Sequence, residues 1–178
     1  MSTVAITYGR FNPPHKGHQL IFQKLSELVK SNKADQAIVF CSTSHDHKKN
    51  PLTIDQKIDF LKKITNHFGN IPVVQGKNTI DVLKSVSEKY DSLIVLVGED
   101  RQKEFKTLFD KYNHKEYDFD SIEVQSVGDR SSSDQNNIAS YSASRIRQHI
   151  TDFKKETSEF LDDDEKAKLA SILIKQLS

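Results

Sequence analysis

The sequence has a single cysteine, Cys41, and almost no net charge. Its 26 Lys and Arg residues nearly balance its 25 Asp and Glu residues, for a formal net charge of +1. One cysteine excludes an internal disulfide, and a thiol within AIVFCSTS is expected to lie buried in a strand. The charge balance argues against a general nucleic-acid-binding protein, which normally shows a basic excess. A local basic pocket for a small anion remains compatible with it.

Long apolar runs and a leader-like N-terminus are also lacking. No segment approaches the roughly 20 apolar residues of a membrane span. The opening MSTVAITYGR lacks the apolar core of a secretory signal. These features predict a cytoplasmic protein with no membrane partner. At 178 residues, we expect a single domain, with a core over residues 3–150 and a helical appendage over 151–178.

Short apolar runs alternate with amphipathic segments along the chain. The predicted strands are TVAITYG, QAIVFCST, IPVVQG, SLIVLVGED and SIEVQSVG. The predicted helices between and after them are GHQLIFQKLSELVK, TIDQKIDFLKKITNHF, TIDVLKSVSEKY, RQKEFKTLFDKY, residues 143–153 and DEKAKLASILIKQL. Thr53 and Thr79 are the expected N-caps of the second and third helices. This pattern predicts an α/β fold with a doubly wound, five-stranded parallel sheet covered on both faces.

The C-terminal helix carries an apolar face, and the sequence leaves its partner open. That face consists of Leu169, Ile172, Leu173 and Leu177. It can pack on the domain or on a second copy of the chain, so a homo-oligomer is one of two alternatives.

In such a fold, every loop that follows a strand lies at the carboxyl edge of the sheet, where ligands bind. Neither G-x-x-x-x-G-K-[ST] nor G-x-G-x-x-G occurs there. The first loop instead reads GRFNPPHKGH, residues 9–18. Gly9 permits close backbone approach, and the following helix start offers unpaired N–H groups to a phosphate. His15 and His18, three residues apart, can donate N–H bonds to phosphate oxygens from the same side.

Two further polar clusters fall at the same edge. SASRIR opens a predicted helix with Ser142 and Ser144, and Arg147 offers the planar fork that suits phosphate. HDHKKNPLT contributes Lys49. Each cluster alone is compatible with an ordinary capped helix or a solvated loop, but together they predict a polyphosphate site. A metal site at HDH is disfavoured, because further ligands are not apparent.

These motifs resemble those of the HxGH nucleotidyltransferase superfamily, whose members are cytidylyltransferase-like. GRFNPPHKGH resembles the G-R-F-x-P-x-H-x-G-H of archaeal-type nicotinamide mononucleotide adenylyltransferases. NPLTIDQK is similar to their N-P-F-T-x-x-E-R, and SASRIR to their S-G-T-x-I-R. Small nucleotidyltransferase-like proteins of tailed bacteriophages also resemble the chain at VGEDRQKEF and LFDKYN.

The resemblance implies a role for each matched residue. The catalytic groups would be His15, His18 and Arg147, which hold the ATP phosphates and stabilise the transferring group. The ATP-binding groups would be Gly9, Arg10, Phe11, Asn12, Lys49, Ser142 and Ser144. Gly98 and Asp100 would shape the adenine and ribose pocket. Mg²⁺ would accompany ATP.

The implied reaction is AMP transfer from ATP to a phosphomonoester, with nicotinamide mononucleotide as the preferred acceptor. Gln56 and Lys57 stand where Glu-Arg is usual, and GED replaces S-G-N. Both departures bear on the acceptor. The alternatives are a cytidylyltransferase, a pantetheine-phosphate adenylyltransferase, and a non-catalytic nucleotide-binding protein of the same fold.

Overall fold

Strands and helices alternate through most of the chain in a computed structural model, which describes residues 1–14, 16–46, 50–127 and 161–177. The strands are β1 (Thr3–Gly9), β2 (Gln36–Ser42), β3 (Val73–Gly76), β4 (Ser92–Val97) and β5 (Ser121–Ser126). The helices are α1 (Lys16–Lys30), α2 (Ile54–Thr65), α3 (Thr79–Ser87), α4 (Gln102–Tyr112) and α5 (Asp163–Leu177). Short 3₁₀ turns at Asn66–Phe68 and Glu99–Arg101 follow α2 and precede α4.

All five strands form one parallel sheet in the order β3-β2-β1-β4-β5. Ile6 of β1 lies opposite Ile38 of β2 on one side and Val95 of β4 on the other. The predicted doubly wound fold is therefore confirmed. The chain winds outward from β1 to β3 and then crosses back to β4, so the switch between the two directions lies beside β1. Ligands of such sheets bind at the carboxyl ends of the strands near this switch.

The sheet separates two apolar layers, as the continuous apolar strands predicted. Ala5 of β1 packs into the layer that also contains Phe22 of α1 and Leu61 of α2. Val4 packs into the opposite layer, together with Phe105 of α4. Because successive side chains of a strand point to opposite faces, β1 anchors both layers at once. Cys41 is fully buried, in agreement with the sequence prediction.

A threonine was predicted as the N-cap of two helices, and one of these two predictions is wrong. Thr53 caps α2 in a capping box: its side chain accepts from Gln56 N at 3.3 Å, and Gln56 Oε1 accepts from Thr53 N at 3.0 Å. Thr79, however, is already the first residue of α3. The N-cap is Asn78, whose extended backbone lets Oδ1 accept from Asp81 N at 2.9 Å.

The C-terminal helix packs on the rest of the domain. Leu169 is fully buried in the same layer as Leu61, and Ile172 packs against that layer. Glu165 pairs with Lys63 of α2 at 3.2 Å. The described part of the apolar face therefore contacts this chain. No helix among the described residues is long and apolar enough to span a membrane.

Candidate functional site

A cavity of about 520 Å³ lies at the carboxyl edge of the sheet. Its lining residues come from the ends of β1 and β2 and from the segments that follow β1, β2, β3 and β4. They are Tyr8, Gly9, Arg10, Ser42, Thr43, Ser44, Lys77 and Arg101. Three of these side chains are cationic, three carry aliphatic hydroxyls, and none is a carboxylate. The volume falls within the range of about 300–1,000 Å³ that is usual for small-molecule sites. The described lining suits an anionic ligand.

The loop after β1 is anchored by a buried amide. Asn12 is 1% exposed, and its Nδ2 donates to Leu52 O at 3.0 Å while its Oδ1 accepts from Leu52 N at 2.7 Å. Leu52 lies just before α2, so this pair of hydrogen bonds joins the first loop of the site to the second. Asn12 therefore positions the loop rather than lining the cavity.

Phe11 of the same loop packs against His18 of α1. Phe11 has a φ of 45°, and its ring is buried. Its centroid lies 4.7 Å from that of His18, edge to face, and 5.9 Å from that of Phe22. A Cβ at Gly9 would lie 3.2 Å from the Phe11 ring. The Phe11 ring therefore packs closely against the backbone of Gly9, and the predicted close approach of a ligand to Gly9 stays a prediction.

A buried lysine donates hydrogen bonds to the backbone at the end of β2 and in the loop that follows it. Lys57 of α2 is fully buried, and its Nζ donates to Ser42 O at 2.5 Å and to Ser44 O at 3.0 Å. The hydroxyls of Ser42 and Ser44 also bond to each other at 2.7 Å. Burial lowers the pKa of Lys57, with the nearby Cys41 opposing that shift and the charge of Arg10 adding to it.

Tyr8 and Arg101 also line the cavity. Tyr8 Oη is 3.5 Å from the carbonyl oxygens of Gly76 and Lys77, at the turn after β3. Burial raises the pKa of Tyr8, and the charge of Arg101 opposes this shift. The guanidinium of Arg101 lies 4.7 Å from the Phe105 ring centroid, and its Nε lies 3.8 Å from a carboxylate oxygen of Glu104.

The predicted residues divide into three groups. Gly9 and Arg10 line the cavity, and Phe11, Asn12 and His18 support it from the adjoining loop and helix. Gly98 and Asp100 lie at the end of β4, just before Arg101, and are not among the lining residues. The remaining predictions lie outside the described residues: His15, Lys49, Ser142, Ser144 and Arg147. Their roles stay predictions.

Sequence reasoning missed several residues of the site. Three of them, Tyr8, Ser42 and Thr43, lie at the ends of predicted strands, and Lys77 follows such a strand. The rule that ligands bind at the carboxyl ends of the strands could therefore have identified them. Lys57 gave no such signal, because a lysine in an amphipathic helix is normally solvent-exposed.

Comparison with known proteins gives one family match. Residues 6–149 match the family model described as cytidylyltransferase-like. The structure is similar to a Vibrio parahaemolyticus protein assigned as a nicotinate-nucleotide adenylyltransferase, with a TM-score of 0.60 and 16% identity over 98% of this chain and 99% of that one. It is also similar to Plasmodium falciparum nicotinic acid mononucleotide adenylyltransferase in complex with NaAD, with a TM-score of 0.63 and 16% identity over 98% and 96% of the two chains.

Proposed function

The chain belongs to the cytidylyltransferase-like family of the nucleotidyltransferase superfamily, and we propose that it transfers AMP from ATP to a phosphomonoester acceptor. The acceptor we favour is nicotinamide mononucleotide, which would give NAD and pyrophosphate. One observation carries the proposal: the cavity at the carboxyl edge, next to GRFNPPHKGH, is lined by Arg10, Lys77 and Arg101 without a carboxylate among its described walls. Such a lining suits two phosphorylated substrates meeting at one place.

The chemistry needs little more than positioning and charge neutralisation. An oxygen of the acceptor phosphate attacks the α-phosphorus of ATP, and the bond between that phosphorus and the pyrophosphate oxygen breaks. The acceptor is already an anion at neutral pH, so no general base is required. Arg10, Lys77 and Arg101 would hold phosphate oxygens, and His18 would donate to the departing pyrophosphate.

Mg²⁺ is part of the proposal as a companion of the triphosphate. This ion usually keeps several waters and binds through substrate phosphates with few protein ligands. The cationic and hydroxyl side chains of the cavity would contact phosphate rather than the metal. When bound, the ion would neutralise charge on the leaving pyrophosphate.

A pyrophosphate-release screen tests the proposal. ATP and CTP are each paired with nicotinamide mononucleotide, nicotinate mononucleotide and phosphopantetheine. We expect turnover with ATP and nicotinamide mononucleotide. Turnover only with CTP, or only with phosphopantetheine, would replace this assignment by the corresponding transferase. Calorimetric ATP binding without pyrophosphate release from any pair would identify a non-catalytic nucleotide-binding protein.

Paired variants test the role of the cavity itself. Arg101→Gln removes a lining cation, whereas Lys103→Gln removes an exposed cation two residues further along. A hydrogen bond to a charged group contributes about 1.5–3 kcal/mol, so we expect Arg101→Gln to raise a substrate KM about tenfold or more. Lys103→Gln is expected to change it less than twofold. Equal KM values for the two variants would remove Arg101 from the site.

A further inference from the structure

The least usual group near the cavity is the ammonium of Lys57. It is fully buried, and its hydrogen bonds go to the uncharged carbonyl oxygens of Ser42 and Ser44. Among the described residues no carboxylate forms an ion pair with it, although surface lysines such as Lys63 and Lys84 do have such partners. A buried charge is costly unless an opposite charge or several dipoles compensate it.

The groups that face Lys57 from the neighbouring strands do not supply a negative charge. Cys41 lies at the end of β2, and burial raises the pKa of its thiol to about 11, so it is neutral near pH 7. Arg10 follows β1 and is a second cation. Two positive charges therefore lie close together at this edge of the sheet.

The position of Lys57 relative to the cavity is the second observation. Its two acceptors, the carbonyls of Ser42 and Ser44, belong to residues that line the cavity wall. The ammonium thus binds the backbone of two wall residues, while Lys57 itself is not among the lining residues. A ligand anion in the cavity would interact with this charge through the protein interior, where Coulomb interactions are screened less than in water.

We propose that Lys57 is a positioning residue whose buried charge is balanced by the phosphate groups of the bound substrate. Its ammonium fixes the carbonyls of the wall, so that the Ser42–Ser44 segment keeps its shape around the ligand. The same charge attracts phosphate without touching it. This inference rests on the proposed function, because it requires the cavity to bind a phosphorylated ligand.

Calorimetric titration with inorganic tripolyphosphate and with adenosine tests the inference. The variant is Lys57→Met, which keeps the length of the side chain and removes its charge. The matched control is Lys62→Met, which removes one charge from the exposed face of the same helix. We expect Lys57→Met to bind tripolyphosphate at least tenfold more weakly and adenosine equally well. Lys62→Met is expected to change both affinities less than twofold.

The outcomes separate the possible roles. Equal tripolyphosphate affinity in the two variants would overturn the inference and leave the proposed function intact. A parallel loss of tripolyphosphate and adenosine binding by Lys57→Met would also overturn it, because that result indicates a purely structural lysine. Failure of the unmodified protein to bind tripolyphosphate would overturn both proposals. Tripolyphosphate binding that depends on Lys57, without pyrophosphate release in the screen, would support the inference and refute only the transferase activity.

A second measurement on the unmodified protein covers the case in which Lys57→Met does not fold. Lysine labelled with ¹³C at the ε position gives one NMR signal per side chain, and its pH titration reports the pKa. A bound anion favours the charged form of a lysine, so we expect the pKa of Lys57 to rise when tripolyphosphate is added. The NMR signal of Lys62 should not respond to tripolyphosphate. An unchanged Lys57 pKa in the complex would overturn the inference.

Discussion

Replacing Asn12 by alanine is expected to destabilise the protein strongly, although it removes only one small polar side chain. The substitution leaves the N–H and the C=O of Leu52 without the partners that now lie at 2.7 and 3.0 Å. Both groups are buried, and leaving a buried polar group unsatisfied costs about 1–3 kcal/mol. We therefore expect a loss of about 3 kcal/mol, which is a large fraction of the roughly 5–15 kcal/mol that stabilises a typical domain.

Chemical denaturation of the variant, monitored by circular dichroism, measures this loss directly. Asn78→Ala is the matched control, because Asn78 is an exposed N-cap whose removal typically costs about 1 kcal/mol. In a thermal scan, a loss of 3 kcal/mol corresponds to a decrease in Tm of about 6–12 °C for a chain of this length. If Asn12→Ala proved no more destabilising than Asn78→Ala, the hydrogen bonds between the two loops would not have the importance assigned to them.

Three further predictions concern the core and the reaction. Gly76→Ala places a Cβ 2.5 Å from Val82 Cγ2, so chemical denaturation should show a loss of about 1–3 kcal/mol. Val82→Ala should lower the free energy of unfolding less in the Gly76→Ala variant than in the unmodified protein, because it removes the methyl group that the new Cβ meets. Equal losses in the two backgrounds would contradict this. His18→Ala should lower kcat/KM about 10²–10³-fold in the pyrophosphate-release assay, and a decrease of tenfold or less would exclude the proposed role. Cys41 should react with iodoacetamide at pH 8 at least about a hundredfold more slowly in the native state than in denaturant, because the thiol is fully buried and burial also raises its pKa to about 11. Equal rates would show that the thiol is accessible.

The fold could be predicted because its strongest signals are local. LIVLV is a continuous apolar run and TVAITYG is a short β-branched and aromatic run, and such runs between amphipathic helices are typical of a parallel sheet. Helix caps are less certain from sequence: Asn78 and Thr79 are adjacent and both able to cap, and only the extended backbone of Asn78 decides between them. Because ligand-binding loops follow the strands of such sheets, the sequence placed the loop after β1 at the carboxyl edge, and two of the residues predicted there, Gly9 and Arg10, line the cavity.

The hydrogen bonds that hold the loops of the site in place could not be predicted, because they join segments that are distant in sequence. The Asn12 amide bonds to a residue 40 positions away, and the Lys57 ammonium bonds to residues 13 and 15 positions away. Neither side chain differs in type from many solvent-exposed ones. Only the packing of α2 and the loop before it against the loop after β1 and the end of β2 turns them into buried, directional groups.

The central place of β1 in the sheet has a consequence for synthesis on the ribosome. β1 is made before the other four strands, yet one of its two edges pairs with β4, which is complete only when residue 97 has been added. At about 5–20 residues per second, that edge waits roughly 4–18 s for its partner. During this interval the N–H and C=O groups of that edge lack their hydrogen-bond partners in β4. The apolar side chains of Val4 and Ile6 also lack the later residues that bury them. The nascent chain should therefore be most prone to aggregation, and most dependent on chaperones, before β4 emerges from the exit tunnel.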